Sequence, residues 1–110
     1  ITCIFERVND MLAITPAHRI YIACQAFDFR MGIDGFAAVC RKHFHRDPLQ
    51  GHCFIFRNKK RTAIKVLLYD HGGFWLCHKR LSKGQFKQWP QTEASVVLID
   101  SHQLNILLQQ

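Results

Sequence analysis

The sequence predicts an α+β fold: a mainly antiparallel sheet, elements in the order β-α-β-β-β-β-α, and helices packed on one face. Three observations predict this class. Short apolar runs rich in β-branched and aromatic residues recur along the chain, as is typical of strands. One longer segment repeats its apolar residues at helical spacing. Two of the runs are joined by a short turn of residues that tolerate positive φ, which indicates an antiparallel hairpin.

The first strand and the long helix are expected within the first half of the chain. Arg19–Cys24 is an apolar, β-branched and aromatic run, which predicts a strand. From Phe29 to Phe44 apolar residues recur mostly at steps of three and four, which predicts an amphipathic helix over 29–45. We expect its apolar stripe to lie against the sheet.

Carboxylates and glycines mark the ends and one face of this helix. Asp28 or Asp34 is expected to cap its N-terminus, and Asp47-Pro48 is expected to end it. Gly32 and Gly35 lie three residues apart on one face. We expect another backbone to approach the helix closely there.

Four further strands and a short helix are expected in the second half. The strands are predicted at 53–57, 62–69, 74–81 and 96–99, with a tight hairpin at 70–73 and a polar loop at 82–94. Asp100 followed by Gln103 predicts a capping box. The final helix then presents one apolar stripe of Leu104, Leu107 and Leu108.

Cysteine usage and hydropathy restrict the class of protein. The five cysteines are odd in number, form no C-x-x-C pair and lie mostly in apolar runs. This pattern indicates reduced, buried thiols in a cytoplasmic protein. No apolar run approaches the roughly 20 residues that a membrane-spanning helix needs, and we expect no membrane partner.

Positive charge is concentrated in the middle of the chain. The net charge is +7 overall, but the segment from Arg41 to Lys87 holds twelve Lys and Arg against two Asp and Glu, a net of +10. The remainder has a net charge of −3. Such a segment favours a directional basic surface and an anionic partner such as nucleic acid.

The basic turn between the second and third strands is the candidate nucleic-acid contact. It places four cations in five residues, with a neutral amide donor between them, as phosphate recognition requires. The predicted nucleic-acid-binding residues are Arg57, Asn58, Lys59, Lys60, Arg61, Lys65, Lys79, Arg80 and Lys83. Interleaved aromatic residues could stack on bases if exposed: Tyr69, Phe74, Trp75, Phe86 and Trp89. The alternative is a solvated hairpin tip with these aromatic residues in the core.

Three sets of side chains are candidate metal or catalytic sites, and each has a structural explanation. His43 and His45 lie at the end of the predicted helix, where their side chains would point in different directions. Two histidines separated by one residue bring both imidazoles to the same metal ion only when they lie on a strand. Adjacent His and Cys on neighbouring strands face opposite ways, so each of the pairs 52–53 and 77–78 offers at most one zinc ligand. The third set consists of four carboxylates, three of which have a local structural explanation: two as helix caps and one as a turn former. The four are Asp28, Asp34, Asp70 and Glu93. We therefore expect no catalytic residue, no metal and no cofactor.

Short sequence motifs occur along the chain in a characteristic order and spacing. They are 19–23, 28–35, 47–48 with Gly51, 54–59, 65–70, 73–74, 79–81, Gly84 with Phe86, and 89–90. In this order they resemble the TnpB-type accessory protein of the insertion sequence sixty-six family, the product of its second open reading frame. The resemblance runs from about Met11 to Leu108, so we take 1–10 as an N-terminal extension and 11–110 as a single domain.

The resemblance implies a protein encoded by a bacterial transposable element, and we expect that protein to be non-enzymatic. It also implies two partners, a larger element-encoded transposase with an acidic triad and a small helix-turn-helix protein. We interpret the chain as an accessory protein of DNA transposition that contacts DNA, the transposase or both through its basic hairpin face. The alternatives are a metal-dependent nuclease subunit and a pure protein-interaction module whose basic face meets an acidic partner. The oligomeric state and any DNA sequence preference stay open.

Overall fold

A computed structural model describes residues 19–110, which form a five-stranded sheet with a helix on each face. In chain order the elements are β1 (Ile20–Ala26), α1 (Ile33–Lys42), a 3-10 turn (Pro48–Gln50), β2 (Cys53–Arg57), β3 (Ala63–Asp70), β4 (Gly73–Arg80), β5 (Val96–Ile99) and α2 (Ser101–Leu108). The predicted N-terminal extension and the first residues of the predicted domain lie outside the described residues. No helix within 19–110 is long and apolar enough to cross a membrane.

The sheet has the strand order β4-β3-β2-β1-β5. Pairings β2–β3, β3–β4 and β1–β5 are antiparallel, whereas β1 and β2 run parallel. Parallel neighbours need a long crossover connection, and the segment that contains α1 supplies it. The predicted α+β class and mostly antiparallel sheet are confirmed. Because β1 and β2 are parallel, their C-terminal ends meet at the same end of the sheet.

The expectation that both helices lie on one face of the sheet is wrong. Phe36 and Cys40 of α1 pack in one cluster with Phe54 and Phe56 of β2. The buried leucines of α2 pack in the other cluster, with Ile55 of β2. Four consecutive residues of β2 are buried, so both of its faces are apolar and each needs a cover.

The long helix is shorter than its apolar periodicity predicted. It ends at Lys42, and Phe44 is buried beyond it in a non-helical segment. The expected carboxylate caps are also wrong, because Gly32 occupies the N-cap position and makes no side-chain cap hydrogen bond. Asp28 instead accepts a hydrogen bond from the backbone N–H of Arg30 at 2.9 Å, before the helix begins.

Within residues 19–110, no second backbone approaches the helix at its glycines, contrary to expectation. A Cβ added to Gly32 would meet no heavy atom of these described residues within 4 Å. A Cβ added to Gly35 would lie 2.9 Å from the Cβ of Met31, which is a side chain of the same segment. Gly35 is therefore constrained locally, by the chain entering the helix.

Several local predictions are confirmed. The β3–β4 hairpin has a two-residue loop in which His71 and Gly72 take φ values of 46° and 82°. Asp100 and Gln103 form the predicted capping box of α2. The described cysteines are all buried, and none forms a disulfide within 19–110: Cys24, Cys40, Cys53 and Cys77.

Candidate nucleic-acid interface

The basic turn between β2 and β3 is held in shape by the side chain of Asn58. Its Oδ1 accepts hydrogen bonds from the backbone N–H groups of Thr62 at 2.9 Å and Ala63 at 3.1 Å, and its Nδ2 donates to Thr62 Oγ1 at 2.9 Å. This arrangement accommodates Arg61 in the left-handed region, with φ 58°. Lys59 and Lys60 are exposed at the tip of the turn. The turn is therefore a defined support for two exposed cations.

Six of the predicted cations lie at the same end of the sheet. Arg57 ends β2, and Arg80 ends β4 opposite Ala63, the first residue of β3. The loop after β4 returns to the turn, where Gln85 Nε2 donates to the carbonyl of Lys60 at 2.8 Å. We call this group of six side chains the cationic end: Arg57, Lys59, Lys60, Arg61, Arg80 and Lys83.

No carboxylate compensates the charge of the cationic end within the described part of the chain. The single ion pair between described residues joins Arg30 to Asp28, at 2.7 Å, and the hydrogen bonds from Arg30 hold the pKa of that carboxyl at about 2. Burial lowers the pKa of Arg57, and the nearby positive charge of Arg61 lowers it further. The Nε–H of Arg57 is buried without a hydrogen-bond partner. An anion that approaches this end therefore meets positive charge with no internal competitor.

Besides Arg57, whose Nη1 donates to the carbonyl of its neighbour Asn58 at 3.2 Å, three predicted contact residues have side-chain partners inside the protein. The carboxamide of Asn58 is used by the turn, as described above. Lys65 Nζ donates to the carbonyl of Phe29 at 3.0 Å, and it lies 5.3 Å from the centroid of the Phe29 ring. Lys79 Nζ donates to the carbonyl of Leu108 at 2.8 Å, at the C-terminus of α2. These three side chains link elements of the fold, and we leave them out of the proposed contact surface.

The aromatic residues that the sequence placed among the cations are either buried or lie away from the turn. The backbone N–H of Phe86 donates to the carbonyl of Arg61 at 2.7 Å, beside the turn, but its ring is fully buried. Phe86 and Trp89 are buried, and Trp89 Nε1 donates to the carbonyl of Ala23 at 2.8 Å. Trp75 is 44% exposed, but it pairs with Leu68 towards the other end of the sheet.

Two aromatic residues that were not predicted lie beside the turn. Phe27 and Phe29 follow β1 directly and are half-buried. With Lys59 and Lys60 they line a surface depression of about 450 Å³. The parallel pairing of β1 with β2 brings them there. Sequence reasoning took Phe29 as the start of the helix and therefore missed both.

The candidate metal ligands are dispersed or already have partners. Within 19–110, no three His, Cys, Asp or Glu side chains lie together in a way that would hold a metal ion. Asp28 is held by Arg30, and Asp70 Oδ1 accepts a hydrogen bond from Trp75 Nε1 at 2.9 Å. His43 is exposed after the last residue of α1, with its ring edge towards Phe27.

A second depression lies on the α2 face of the sheet. It has a volume of about 430 Å³ and is lined mainly by apolar side chains of β1, α2 and the loop before β5, including Ile22, Trp89 and Leu107. Ile106 of α2 also lines it and is 44% exposed. Lys87 is its single charged lining residue. This site suits an apolar group better than a phosphate.

Comparison with known proteins identifies similar chains. The family model described as IS66 Orf2-like protein matches residues 18–110. Two curated relatives come from Sinorhizobium fredii (strain NBRC 101917 / NGR234). The uncharacterized protein y4hO is 34% identical over 90 residues, which cover 82% of this chain and 77% of the relative. The uncharacterized protein y4jC is 35% identical over 76 residues, which cover 69% of this chain and 65% of the relative. No solved structure matches the chain significantly.

Proposed function

Because the chain belongs to the IS66 Orf2-like family of transposition-associated accessory proteins, we propose that it contacts nucleic acid through the cationic end of its sheet. The role is non-enzymatic and is exercised in the bacterial cytoplasm, on DNA of the transposable element. The observation that carries the proposal is the uncompensated charge of six cations gathered around one turn. Membership of the family supports the setting, and the charge supports the contact.

The turn provides the arrangement that phosphate binding needs. Lys59 and Lys60 are exposed, and the hydrogen bonds of Asn58 fix the backbone that carries them. A support that is already ordered loses less conformational freedom on binding than a flexible tail. Phosphate contacts of this kind supply affinity and orientation without reading sequence. We therefore expect binding with strong salt dependence and little sequence preference.

The test compares two double variants that remove the same charge from different places. Lys59→Gln with Lys60→Gln alters the cationic end, and Arg41→Gln with Lys42→Gln alters exposed cations at the end of α1. Affinity for labelled DNA is measured over a range of salt concentrations. The first pair should lower the slope of log affinity against log salt by about 0.9 per lost contact on duplex, or about 0.7 on a single strand. The control pair should leave the slope close to that of the wild type. Equal slopes for both pairs would contradict the proposal.

The alternative hypothesis of a metal-dependent nuclease requires carboxylates that are available to hold a metal ion, whereas the non-enzymatic proposal does not. Asp28 and Asp70 are engaged by Arg30 and Trp75, which supports structural roles for both. Incubation of the purified protein with single-stranded and duplex DNA and with Mg²⁺ or Mn²⁺ should give no cleavage. Cleavage that disappears in Asp28→Asn or Asp70→Asn would overturn the non-enzymatic proposal.

A second candidate function is contact with the element-encoded transposase. The observation that favours it is the apolar depression on the α2 face, where Ile106 is exposed. Ile106→Gln should then weaken co-purification with the transposase. The matched control is Leu49→Gln, because Leu49 is similarly exposed but lies outside this depression. An equal effect of the two substitutions would remove the support for this candidate.

A further inference from the structure

We propose that the cationic end recognises single-stranded nucleic acid, with one unstacked base in the depression beside Phe27 and Phe29 and the adjoining phosphates on Lys59 and Lys60. The inference rests on the proposed function and specifies its substrate. The observation that carries it is the presence of two half-buried aromatic residues and two exposed cations around one depression of about 450 Å³.

The size and lining of the depression suit an aromatic group with an attached anion. Its volume lies within the range of about 300–1,000 Å³ that is usual for small-ligand sites. Phe27 and Phe29 contribute apolar surface, and Lys59 and Lys60 contribute positive charge at the side of the turn. A nucleotide combines the same two properties, because its base has an apolar π-face and its phosphate is negative.

Phe27 is held in position before any ligand arrives. Its backbone N–H donates to the carbonyl of Arg57 at 3.0 Å, which ties it to the end of β2. Its ring packs edge-to-face with Phe56 at 5.7 Å and with Phe44 at 6.1 Å between centroids. The side chain therefore has little freedom to lose when a base packs beside it.

Phe29 is held by a different set of contacts. Lys65 Nζ donates to its carbonyl at 3.0 Å, and its ring lies edge-to-face with Phe36 and His78 at 5.9 and 6.0 Å. Lys65 thus contributes to the site indirectly, by fixing the backbone that carries one aromatic side chain.

The one carboxylate in the lining does not repel phosphate as an isolated charge would. Both oxygens of Asp28 accept hydrogen bonds from the guanidinium of Arg30, at 2.7–3.1 Å. The Arg30 side chain is 91% exposed beside it. The pair is close to neutral, so Lys59 and Lys60 set the sign of the local charge.

Duplex DNA does not offer the feature that this depression would receive. Its bases are stacked and paired, and extruding one costs a few kcal/mol. A single strand presents bases that are free to stack on aromatic side chains, with modest dependence on base identity. The cations alone would accept either form, whereas the aromatic residues favour the single strand.

The experiment uses the complete chain and three ligands of matched length. Fluorescence anisotropy measures binding of a mixed-sequence single strand of about 16 nucleotides, the corresponding duplex, and an abasic strand that keeps the phosphates. The single strand should bind more tightly than the duplex. Loss of base stacking should weaken the abasic strand by at least about fivefold, the lower limit for one stacked base.

Two substitutions locate the base. Phe29→Leu should weaken the single strand by roughly five- to 150-fold and leave duplex binding unchanged. The control is Phe74→Leu, which makes the same change in a half-buried ring near the β3–β4 hairpin. Thermal melts establish whether both variants are folded. If Phe29→Leu is unfolded, the proposal is tested by the wild type alone, from its affinity for the normal strand compared with the abasic strand.

The outcomes separate the two proposals. If the wild type binds none of the three ligands, the proposed function fails and this inference fails with it. If it binds duplex and abasic strand as tightly as the normal single strand, nucleic-acid binding stands but the single-strand inference is overturned. Equal losses for Phe29→Leu and Phe74→Leu would also overturn it.

Discussion

Replacing Asn58 with Ala should destabilise the protein by about 2–3 kcal/mol, because this side chain builds the β2–β3 turn. It makes three hydrogen bonds of 2.9–3.1 Å, two of them to the backbone N–H groups of Thr62 and Ala63. Each such bond contributes about 0.5–1.5 kcal/mol net, so the three together contribute about 1.5–4.5 kcal/mol. Because the turn is only half-buried, we expect the loss to lie in the lower half of this range. The variant also removes the contacts that accommodate the positive φ of Arg61.

Urea denaturation measures this change directly. With an m value of about 1–3 kcal/mol per molar, the midpoint should fall by about 0.7–3 M while m stays constant. Asn58→Asp is the comparison variant, since it keeps the acceptor oxygen for both backbone N–H groups, replaces the Nδ2 donor with a second oxygen and adds a negative charge beside the cations of the turn. We expect it to cost about 1 kcal/mol or less.

A midpoint for Asn58→Ala equal to that of the wild type would refute the reasoning. The turn would then form without its side-chain support, and the placement of Lys59 and Lys60 would have no structural basis. Equal destabilisation by Asp and Ala would also refute it, because the two backbone hydrogen bonds would then contribute nothing.

Three further predictions concern the core, the first helix and the histidine of strand β4. Phe36→Ala should cost about 3–5 kcal/mol in urea melts, because the ring is fully buried; a loss below 1 kcal/mol would contradict this packing. Gly32→Ser should stabilise by about a few tenths of a kcal/mol, because its hydroxyl supplies the missing cap. Gly35→Ser should destabilise, because its Cβ would lie 2.9 Å from that of Met31. The reverse order in thermal melts would count against both. Burial, aided by neighbouring cations, lowers the pKa of His78 below its unfolded value, so stability should be highest above about pH 6.5 and fall as the pH drops towards the folded pKa. His78→Gln should flatten that fall in pH-dependent melts, and an unchanged profile would argue against the assignment.

Local signals in the sequence were sufficient for the strands, the hairpin and the last helix. The β3–β4 turn is specified by His71 and Gly72, which take positive φ, and the start of α2 by Asp100 and Gln103. Each of these features depends on residues within four positions of one another. The interactions that form these features do not depend on distant parts of the chain, so the spacing and type of the residues are enough to predict them. The basic turn was predicted for the same reason.

The roles of individual side chains at the site were decided by contacts between distant segments. Lys65 and Lys79 have partners 36 and 29 residues away, so the sequence alone predicts both as surface cations. Phe27 lies beside the basic turn because β1 pairs in parallel with β2. The two helices lie on different faces because both faces of the sheet are apolar. Residue type and spacing are therefore sufficient to predict which segments form strands and helices and where the positive charge is concentrated. Which cations are exposed, and which aromatic residues lie beside them, follows only from the folded chain, because strand pairing and burial depend on residues far apart in the sequence.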